Sequence, residues 1–183
     1  MDPMNKKIAD FLGLLEKRTI DPIDANIKIK ESCTATLLLI FAVIDSLSKI
    51  TCTDAEYIQF RHKRDNKVRF MNFLENLMGH SYAQLKNRLY DLRNDIVHTG
   101  INAKVILSKD KHAHHLEEVN GDLWINTSQF LNDLKETVKQ IRQNIEAQGT
   151  YFRNAANRLQ EFNIINVDQD PMPSPGPDDV PFQ

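Results

Sequence analysis

The stretch LKNRLYDLRNDIVHTG (residues 85–100) is the strongest helical pattern in the chain and the starting point of the fold prediction. Its apolar residues recur every three or four positions, as on one face of a helix: Leu85, Leu89, Leu92 and Ile96. At about 100° per residue, Asn94 points away from that stripe, and His98 lies about 40° from Asn94. Gly100 follows where a left-handed residue would end the helix. The stretch therefore predicts an amphipathic helix with polar side chains gathered at its outer, C-terminal end.

Helix signals dominate the residues before this stretch. Asp2 with Pro3 predicts a helix to about residue 17, and Asp21 with Pro22 predicts a long helix to about residue 50. The motif TDAE (53–56) has the form of a capping box, so a third helix should begin there. The run VRFMNFLENLMG (68–79) continues as helix to Gly79.

The pattern changes after residue 100. Two short β-type runs, AKVIL (103–107) and LWIN (123–126), predict a β-hairpin insertion over about 103–126. Helix returns at residue 127 and is expected to continue past Gly149 to about residue 162. We therefore predict a mainly α fold, an antiparallel helical bundle over residues 1–165 with a small β-hairpin insertion.

The last residues, 166–183, hold five of the seven prolines and four aspartates, which predicts a disordered tail. Such a tail is either simply solvated or a peptide ligand for a partner, and composition favours the first. Deleting a tail without buried surface should leave the melting temperature nearly unchanged.

Composition describes an ordinary protein of 183 residues with a net charge of −2, so no broad attraction to nucleic acid or membranes is expected. Two cysteines, Cys33 and Cys52, follow no metal spacing and suit buried thiols in a reducing compartment. The N-terminus lacks the apolar core of a signal peptide, and the longest apolar run has eight residues (37–44), against about 20 for a membrane span. We expect a cytoplasmic protein whose long apolar helix is the centre of the bundle.

The first candidate site is Arg93, Asn94, Asp95 and His98. An imidazole moves protons near neutral pH, a guanidinium holds a phosphate through two hydrogen bonds, and Asp95 is placed to orient the His98 ring. The helix C-terminus favours the protonated imidazole. On periodicity alone, a solvated helix face with a capping histidine explains the same residues, and that interpretation has the higher prior.

The segment LYDLRNDIVH (89–98) resembles the signature of the HEPN superfamily, in which an arginine, a polar residue, a short spacer and a histidine lie on one helix. Here these are Arg93, Asn94 and His98. The segments VIDSLSKI (43–50) and RFMNFLENL (69–77) add to the likeness, which covers about residues 22–145 in the order of elements. The insertion over 103–126 is not part of the minimal HEPN bundle, and it either covers or obstructs a cleft at the motif.

The resemblance implies a metal-independent endoribonuclease, without cofactor, that acts as a homodimer with arginine and histidine of both subunits in one cleft. It implies that Arg93 binds the scissile phosphate, His98 transfers protons, and Asn94 contacts the substrate or holds His98. Because Arg93 and His98 are about 140° apart on one helix, a dimer also explains how they would converge. RNA is the expected substrate and DNA is not, because DNA lacks the attacking 2′-hydroxyl.

Some HEPN proteins have lost catalysis, so a second interpretation stays open, a catalytically inactive binding or scaffolding module. For either one, the resemblance suggests a toxin–antitoxin, stress or phage-defence system, with an antitoxin or other regulatory protein as partner.

The second candidate is the basic segment FRHKRDNKVR (60–69). It holds five cationic residues: Arg61, Lys63, Arg64, Lys67 and Arg69. They could contact RNA phosphates, or they could form an ordinary solvated face, and composition favours the solvated face. The third candidate is the histidine group HAHH (112–115) with Glu117 and Glu118. On a strand, His112 and His114 would share a side and could hold zinc, but no further ligand follows at a fixed spacing. We expect an exposed loop, and no metal site.

Overall fold

The computed structural model describes residues 3–28, 33–53, 66–99, 104–110 and 112–161. In these ranges the chain is mainly helical, with six helices and a small three-stranded mixed sheet. The helices are α1 (Pro3–Leu15, Glu16–Ile20 and Asp21–Lys28), α2 (Cys33–Thr51), α3 (Asn66–Leu77), α4 (His80–Thr99), α5 (Thr127–Glu146) and α6 (Thr150–Glu161). The strands are β1 (Val105–Ser108), β2 (Glu117–Val119) and β3 (Asp122–Asn126).

Helix α1 does not break before Asp21, so the predicted N-cap there is wrong. Its middle segment, Glu16–Ile20, is a π turn, and Asp21 has helical dihedral angles with its N–H bonded to the carbonyl of Glu16. In a regular α-helix the ring of Pro22 would clash with the carbonyl of Arg18, and a π turn is one irregularity by which helices depart from the regular ladder. The helix therefore continues through Pro22. The predicted continuation into α2 passes through residues 29–32, which lie outside the described ranges.

Helix α2 is the central helix, as predicted from its apolar sequence. It contacts each of the other five helices of the described ranges, and its buried residues include Leu37, Ile40 and Ile44. At its centre the ring of Phe41 meets Phe70 and Phe130 edge to face, with centroids 5.7 and 6.0 Å apart. By length and hydropathy alone α2 could also cross a membrane, with half of its apolar window buried within the fold.

Helices α3 and α4 confirm the predictions for this part of the chain. They form an antiparallel pair, because Lys67 approaches Asp91 while Glu75 bonds Lys86. The chain reverses at Gly79, whose φ of +98° is accessible mainly to glycine. In α4 the predicted stripe faces the core: Leu89, Leu92 and Ile96 are buried, and Leu85 is partly buried against them.

The sheet differs from the predicted hairpin. Strand β1 pairs with β3 in parallel, and the antiparallel hairpin is formed by β2 and β3. Its two-residue turn is Asn120-Gly121, with φ of +54° and +87°, the Asn-Gly sequence that type I′ turns favour. The prediction paired the two most apolar runs and overlooked β2, because Glu117 and Glu118 give that strand a polar, exposed sequence.

The last predicted helix is two helices. Helix α5 presents its predicted apolar side to the core, with Phe130, Leu134 and Ile141 fully buried. It ends in a Schellman motif: the Gln148 N–H bonds the carbonyl of Ile145, and the Gly149 N–H bonds that of Asn144. The left-handed residue is Gln148, with φ of +54°, rather than glycine. The usual glycine signal therefore lies one residue late, which is why the sequence pattern missed the break.

Several predictions concern residues outside the described ranges. These are the Asp2 cap, residues 54–56 of the capping box, Gly100 after α4, and the tail over 166–183.

Candidate functional site

The four residues of the first candidate site lie at the C-terminal end of α4. Asp95 and His98 are exposed, Arg93 and Asn94 are half-buried, and Ile96 between them is buried in the core. The helix therefore presents its polar residues outward at the end that the sequence predicted. Their assigned roles remain predictions.

Arg93 is held by a carboxylate from the neighbouring helix α2. Its Nε and Nη2 atoms donate to Oδ2 of Asp45 over 3.2 and 2.6 Å. Both side chains are about one-fifth exposed, at 21% and 20%. The ion pair is therefore partly shielded from water, and it fixes the guanidinium in one orientation against α2.

Two further contacts come from α4 itself. Nη1 of Arg93 donates to Oδ1 of Asn94 over 2.9 Å, and the guanidinium carbon lies 5.9 Å from the centroid of the Tyr90 ring. A guanidinium has five N–H groups, and three of them make these hydrogen bonds. The hydrogen bonds among the described residues leave two N–H groups of Arg93, and two N–H groups on one edge of a guanidinium make a bidentate contact with a phosphate.

His98 lies apart from Arg93 within the chain. It is exposed in the last turn of α4, and no hydrogen bond joins it to Arg93 in the ranges that the structure describes. Asn94, which was predicted to contact substrate or His98, uses its carbonyl oxygen to hold Arg93. The structure thus brings together Arg93, Asn94 and Asp45, but not Arg93 and His98.

Asp45 is a residue of the candidate site that the sequence analysis did not single out. It is the only charged residue between Cys33 and Ser48, a stretch that otherwise suits the core. Because charged groups are rarely placed in apolar helices without a partner, that isolation was a usable signal. No sequence pattern indicates which cation Asp45 pairs with.

The described part of the basic segment lies beside Arg93. Lys67 approaches Asp91 at 3.9 Å, and its Nζ atom lies 5.4 Å from the centroid of the Tyr90 ring, which also contacts Arg93. Arg69 donates to Asn66 on the same helix. The other cationic residues of this segment lie outside the described ranges: Arg61, Lys63 and Arg64.

The histidine group is divided between two environments. His112 and His114 are exposed, and Nδ1 of His114 lies 2.7 Å from Oε2 of Glu117. His115 is half-buried, with its side chain 15% exposed. In the described ranges no three histidine, cysteine or acidic residues are grouped as a metal site requires.

His115 belongs to a hydrogen-bonded cluster with Tyr82 of α4 and Asp133 of α5. The Asn126 N–H donates to Nδ1 of His115 over 3.2 Å, so the neutral ring carries its proton on Nε2. Nε2 lies 3.0 Å from the Tyr82 hydroxyl, which in turn donates to Oδ2 of Asp133 over 2.8 Å. Gln129 donates to the other oxygen of Asp133. These contacts attach the loop before β2 to two helices.

The electrostatics of this cluster favour a structural role. Burial, together with the charge of Asp133 and its hydrogen bond, raises the pKa of Tyr82, so its hydroxyl stays protonated. Burial alone raises the pKa of Asp133, but hydrogen bonds from His115, Tyr82 and Gln129 more than offset it, and the pKa is lowered. Tyr82 is 3% exposed, which leaves little access for a substrate. No local sequence pattern links residues so far apart in the chain.

Comparison of the chain with protein-family models, with curated proteins and with solved structures finds no match.

Proposed function

We propose that the protein is a HEPN-like, metal-independent endoribonuclease that works as a homodimer. The observation that carries the proposal is how Arg93 is held. Asp45 and Asn94 fix its guanidinium, and within the described ranges two of its N–H groups have no acceptor, on the helix that exposes His98. The likeness of residues 89–98 to the HEPN signature supports the same assignment.

The residue types suit cleavage of RNA by its own 2′-hydroxyl. One proton leaves that hydroxyl and one is given to the departing 5′-oxygen, and both transfers are within the chemistry of histidine. The phosphorane gains negative charge, which an oriented guanidinium stabilises. We assign the proton transfers to His98 and the stabilisation of the phosphorane to Arg93. Asn94 and Asp45 are positioning residues. Asp95 is a weaker candidate for orienting His98.

A dimer brings Arg93 of one subunit near His98 of the other. Two large apolar side chains are exposed in the described ranges, Leu38 at 37% and Val97 at 49%. Leu38 lies seven residues before Asp45 on α2, and Val97 four residues after Arg93 on α4, so each shares a helix face with a member of the ion pair. This placement supports a two-fold interface around the ion pair. A strict monomer at micromolar concentration in light scattering would contradict the composite site.

RNA contact beyond the scissile phosphate comes from the basic segment. Lys67 supports this proposal, because it shares the Tyr90 ring with Arg93 and so lies at the same surface. Each phosphate contact adds to the salt dependence of binding. The partner that controls such an enzyme would be an antitoxin or another regulatory protein.

One observation favours a second candidate, a HEPN-like binding or scaffolding module without catalysis. Asp45 already neutralises Arg93, and a paired guanidinium offers a weaker field to a phosphate than an unpaired one. In that case the α4 face would bind a protein or a nucleotide and leave it unchanged.

Incubation of purified protein with single-stranded RNA in EDTA tests the two candidates. The nuclease should produce 2′,3′-cyclic phosphate ends, and single-stranded DNA of the same sequence should stay intact. Arg93→Ala should abolish cleavage, and Arg93→Lys should restore little of it, because an ammonium lacks the planar fork of donors.

The matched control is His114→Ala in the exposed loop, which should cleave like the wild type. Cleavage that stops in EDTA and also in His114→Ala would instead indicate a metal enzyme. If no RNA is cut while the variants fold and dimerise normally, the binding module is the better description.

A further inference from the structure

One aromatic ring, that of Tyr90, contacts two cations from different helices. Nζ of Lys67, in the first turn of α3, lies 5.4 Å from the ring centroid. The guanidinium carbon of Arg93, three residues after Tyr90 on α4, lies 5.9 Å from the same centroid. The distance between the two cations is therefore no more than the sum of these two values.

The Tyr90 ring is held in place by the core. Phe70, about one turn after Lys67 on α3, is fully buried, and its ring meets the Tyr90 ring edge to face with centroids 5.7 Å apart. Tyr90 is itself partly buried against the core. Because an aromatic face attracts cations, a fixed ring restricts where the flexible Lys67 and Arg93 side chains place their charges. Tyr90 therefore sets the spacing of the two cations.

Each cation also has a carboxylate neighbour, but the two ion pairs differ. Nη2 of Arg93 lies 2.6 Å from Asp45, and both side chains are about one-fifth exposed. Nζ of Lys67 lies 3.9 Å from Asp91, and these side chains are 43% and 67% exposed. Exposed pairs of this kind contribute little to stability. A phosphate can therefore replace Asp91 as the neighbour of Lys67 while Asp45 keeps Arg93 in position.

The spacing of the two cations suits neighbouring phosphates of one strand. A nucleic-acid strand carries one phosphate per nucleotide, about 3.4 Å apart along the axis of a stacked strand. A cation reaches a phosphate oxygen over about 2.7–2.9 Å. Two cations close to one ring therefore reach adjacent phosphates more readily than phosphates several nucleotides apart.

We propose that Arg93 and Lys67 bind two neighbouring phosphates of one RNA strand, with Tyr90 as the positioning residue for both cations. Arg93 holds the scissile phosphate and Lys67 the phosphate next to it, so tight binding requires a substrate with that second phosphate. The RNA part of the inference rests on the proposed function. A free nucleotide with 3′- and 5′-phosphates offers the same chemistry, and the experiments separate the two sources.

Calorimetry on the full-length His98→Ala protein compares adenosine 3′- and 5′-monophosphates with adenosine 3′,5′-bisphosphate. The bisphosphate should bind about five- to tenfold more tightly, the effect of one charged hydrogen bond near water. Lys67→Ala should remove this gain and leave monophosphate binding unchanged. The matched control is Lys139→Ala on α5, an exposed lysine that also lies beside a carboxylate, that of Glu136, and it should keep the gain. If Lys67→Ala weakens monophosphate and bisphosphate binding equally, both cations hold one phosphate and the inference is overturned.

Variants of the neighbouring residues test the role of the ring. Tyr90→Phe keeps the ring and should keep the gain, whereas Tyr90→Leu should lower it about threefold. Asp91→Asn should raise bisphosphate affinity about twofold, because it removes the carboxylate that competes for Lys67. Equal losses in Tyr90→Phe and Tyr90→Leu would overturn the positioning role of the ring. Urea unfolding shows whether Tyr90→Leu folds, and if it does not, Lys67→Ala at the surface decides the test.

Cleavage of minimal substrates by the wild type then identifies the source of the phosphates. A dinucleoside monophosphate, whose single phosphate is the scissile one, is compared with the same dinucleotide carrying a second phosphate at its 5′ or its 3′ end. One of the two phosphorylated forms should have a KM about five- to tenfold lower with kcat unchanged, and Lys67→Ala should remove the difference. Equal KM values and no bisphosphate gain would reject the two-phosphate site and leave the nuclease proposal intact. A bisphosphate gain that depends on Lys67, without cleavage of any RNA, would reject the nuclease and leave a site for nucleotides with two phosphates.

Discussion

The two ends of helix α4 carry polar clusters with similar groups in different environments. Near its N-terminal end, the Tyr82 hydroxyl forms hydrogen bonds with His115 and Asp133, so these side chains bond one another. Near its C-terminal end, Arg93 bonds Asp45 and Asn94, two of its N–H groups have no acceptor among the described residues, and His98 is exposed. A histidine and a carboxylate therefore do not identify a reactive site by themselves. What distinguishes the two ends is whether donors remain for a ligand.

The largest difference is expected between variants of the two histidines, His98 and His115. His98→Ala should lower RNA cleavage by about 10²–10⁴-fold, the usual contribution of acid–base catalysis, and change stability by no more than about 0.5 kcal/mol. His115→Ala should do the reverse, because it leaves the buried Asn126 N–H without its acceptor, a loss of about 1–3 kcal/mol. Cleavage assays and urea unfolding of both variants measure the contrast. Loss of cleavage in folded His115→Ala would move the active site to the other end of α4.

The next prediction concerns how Arg93 is oriented. Asp45→Ala should reduce cleavage by about tenfold, or about 1.4 kcal/mol, because the guanidinium loses its fixed position. Asp45→Asn should recover most of the rate, since its carbonyl oxygen can still accept from Arg93. Single-turnover rates with saturating RNA separate positioning from binding. Faster cleavage by Asp45→Ala would mean that the carboxylate competes with the phosphate, and that the ion pair inhibits.

The sequence predicted those features of the fold and the site that depend on residues close together in the chain. The stripe of α4 and the polar outer face at residues 93–98 were predictable, because helical periodicity fixes both. The partner of Arg93 was not, since Asp45 is 48 residues away and only packing of α2 against α4 joins them. The Tyr82 cluster was missed for the same reason. The β1–β3 pairing and the end of α5 were missed because a polar strand and a left-handed glutamine give weak local signals.

A smaller effect is expected for the Tyr82 hydroxyl. Tyr82→Phe should cost about 1 kcal/mol, because Asp133 and His115 lose a shared partner but can approach one another from 3.6 Å. For a chain of this size the melting temperature should fall by about 2–4 °C. Tyr90→Phe is the matched control on the same helix, since Tyr90 contacts Lys67 and Arg93 through its ring. Equal losses in the two variants would show that the hydroxyl of Tyr82 has no special role.

The smallest expected effect is a dependence of stability on pH, which arises from Asp133 in its cluster with Tyr82 and His115. The pKa of Asp133 is lowered in the folded protein by hydrogen bonds from His115, Tyr82 and Gln129, which outweigh the opposite effect of burial. A carboxyl group with a lowered pKa stabilises the fold above its unfolded value of about 3.9, and that contribution is lost as the pH falls through the folded value. Asp133→Asn should therefore be less stable than the wild type at pH 7, and the difference should shrink below about pH 4. Urea unfolding at a series of pH values, with the exposed Asp10→Asn as baseline, measures it. A difference that stays constant with pH would mean that the Asp133 charge adds nothing, and that the cluster is held by the neutral hydrogen bonds of Tyr82 and Asn126 alone.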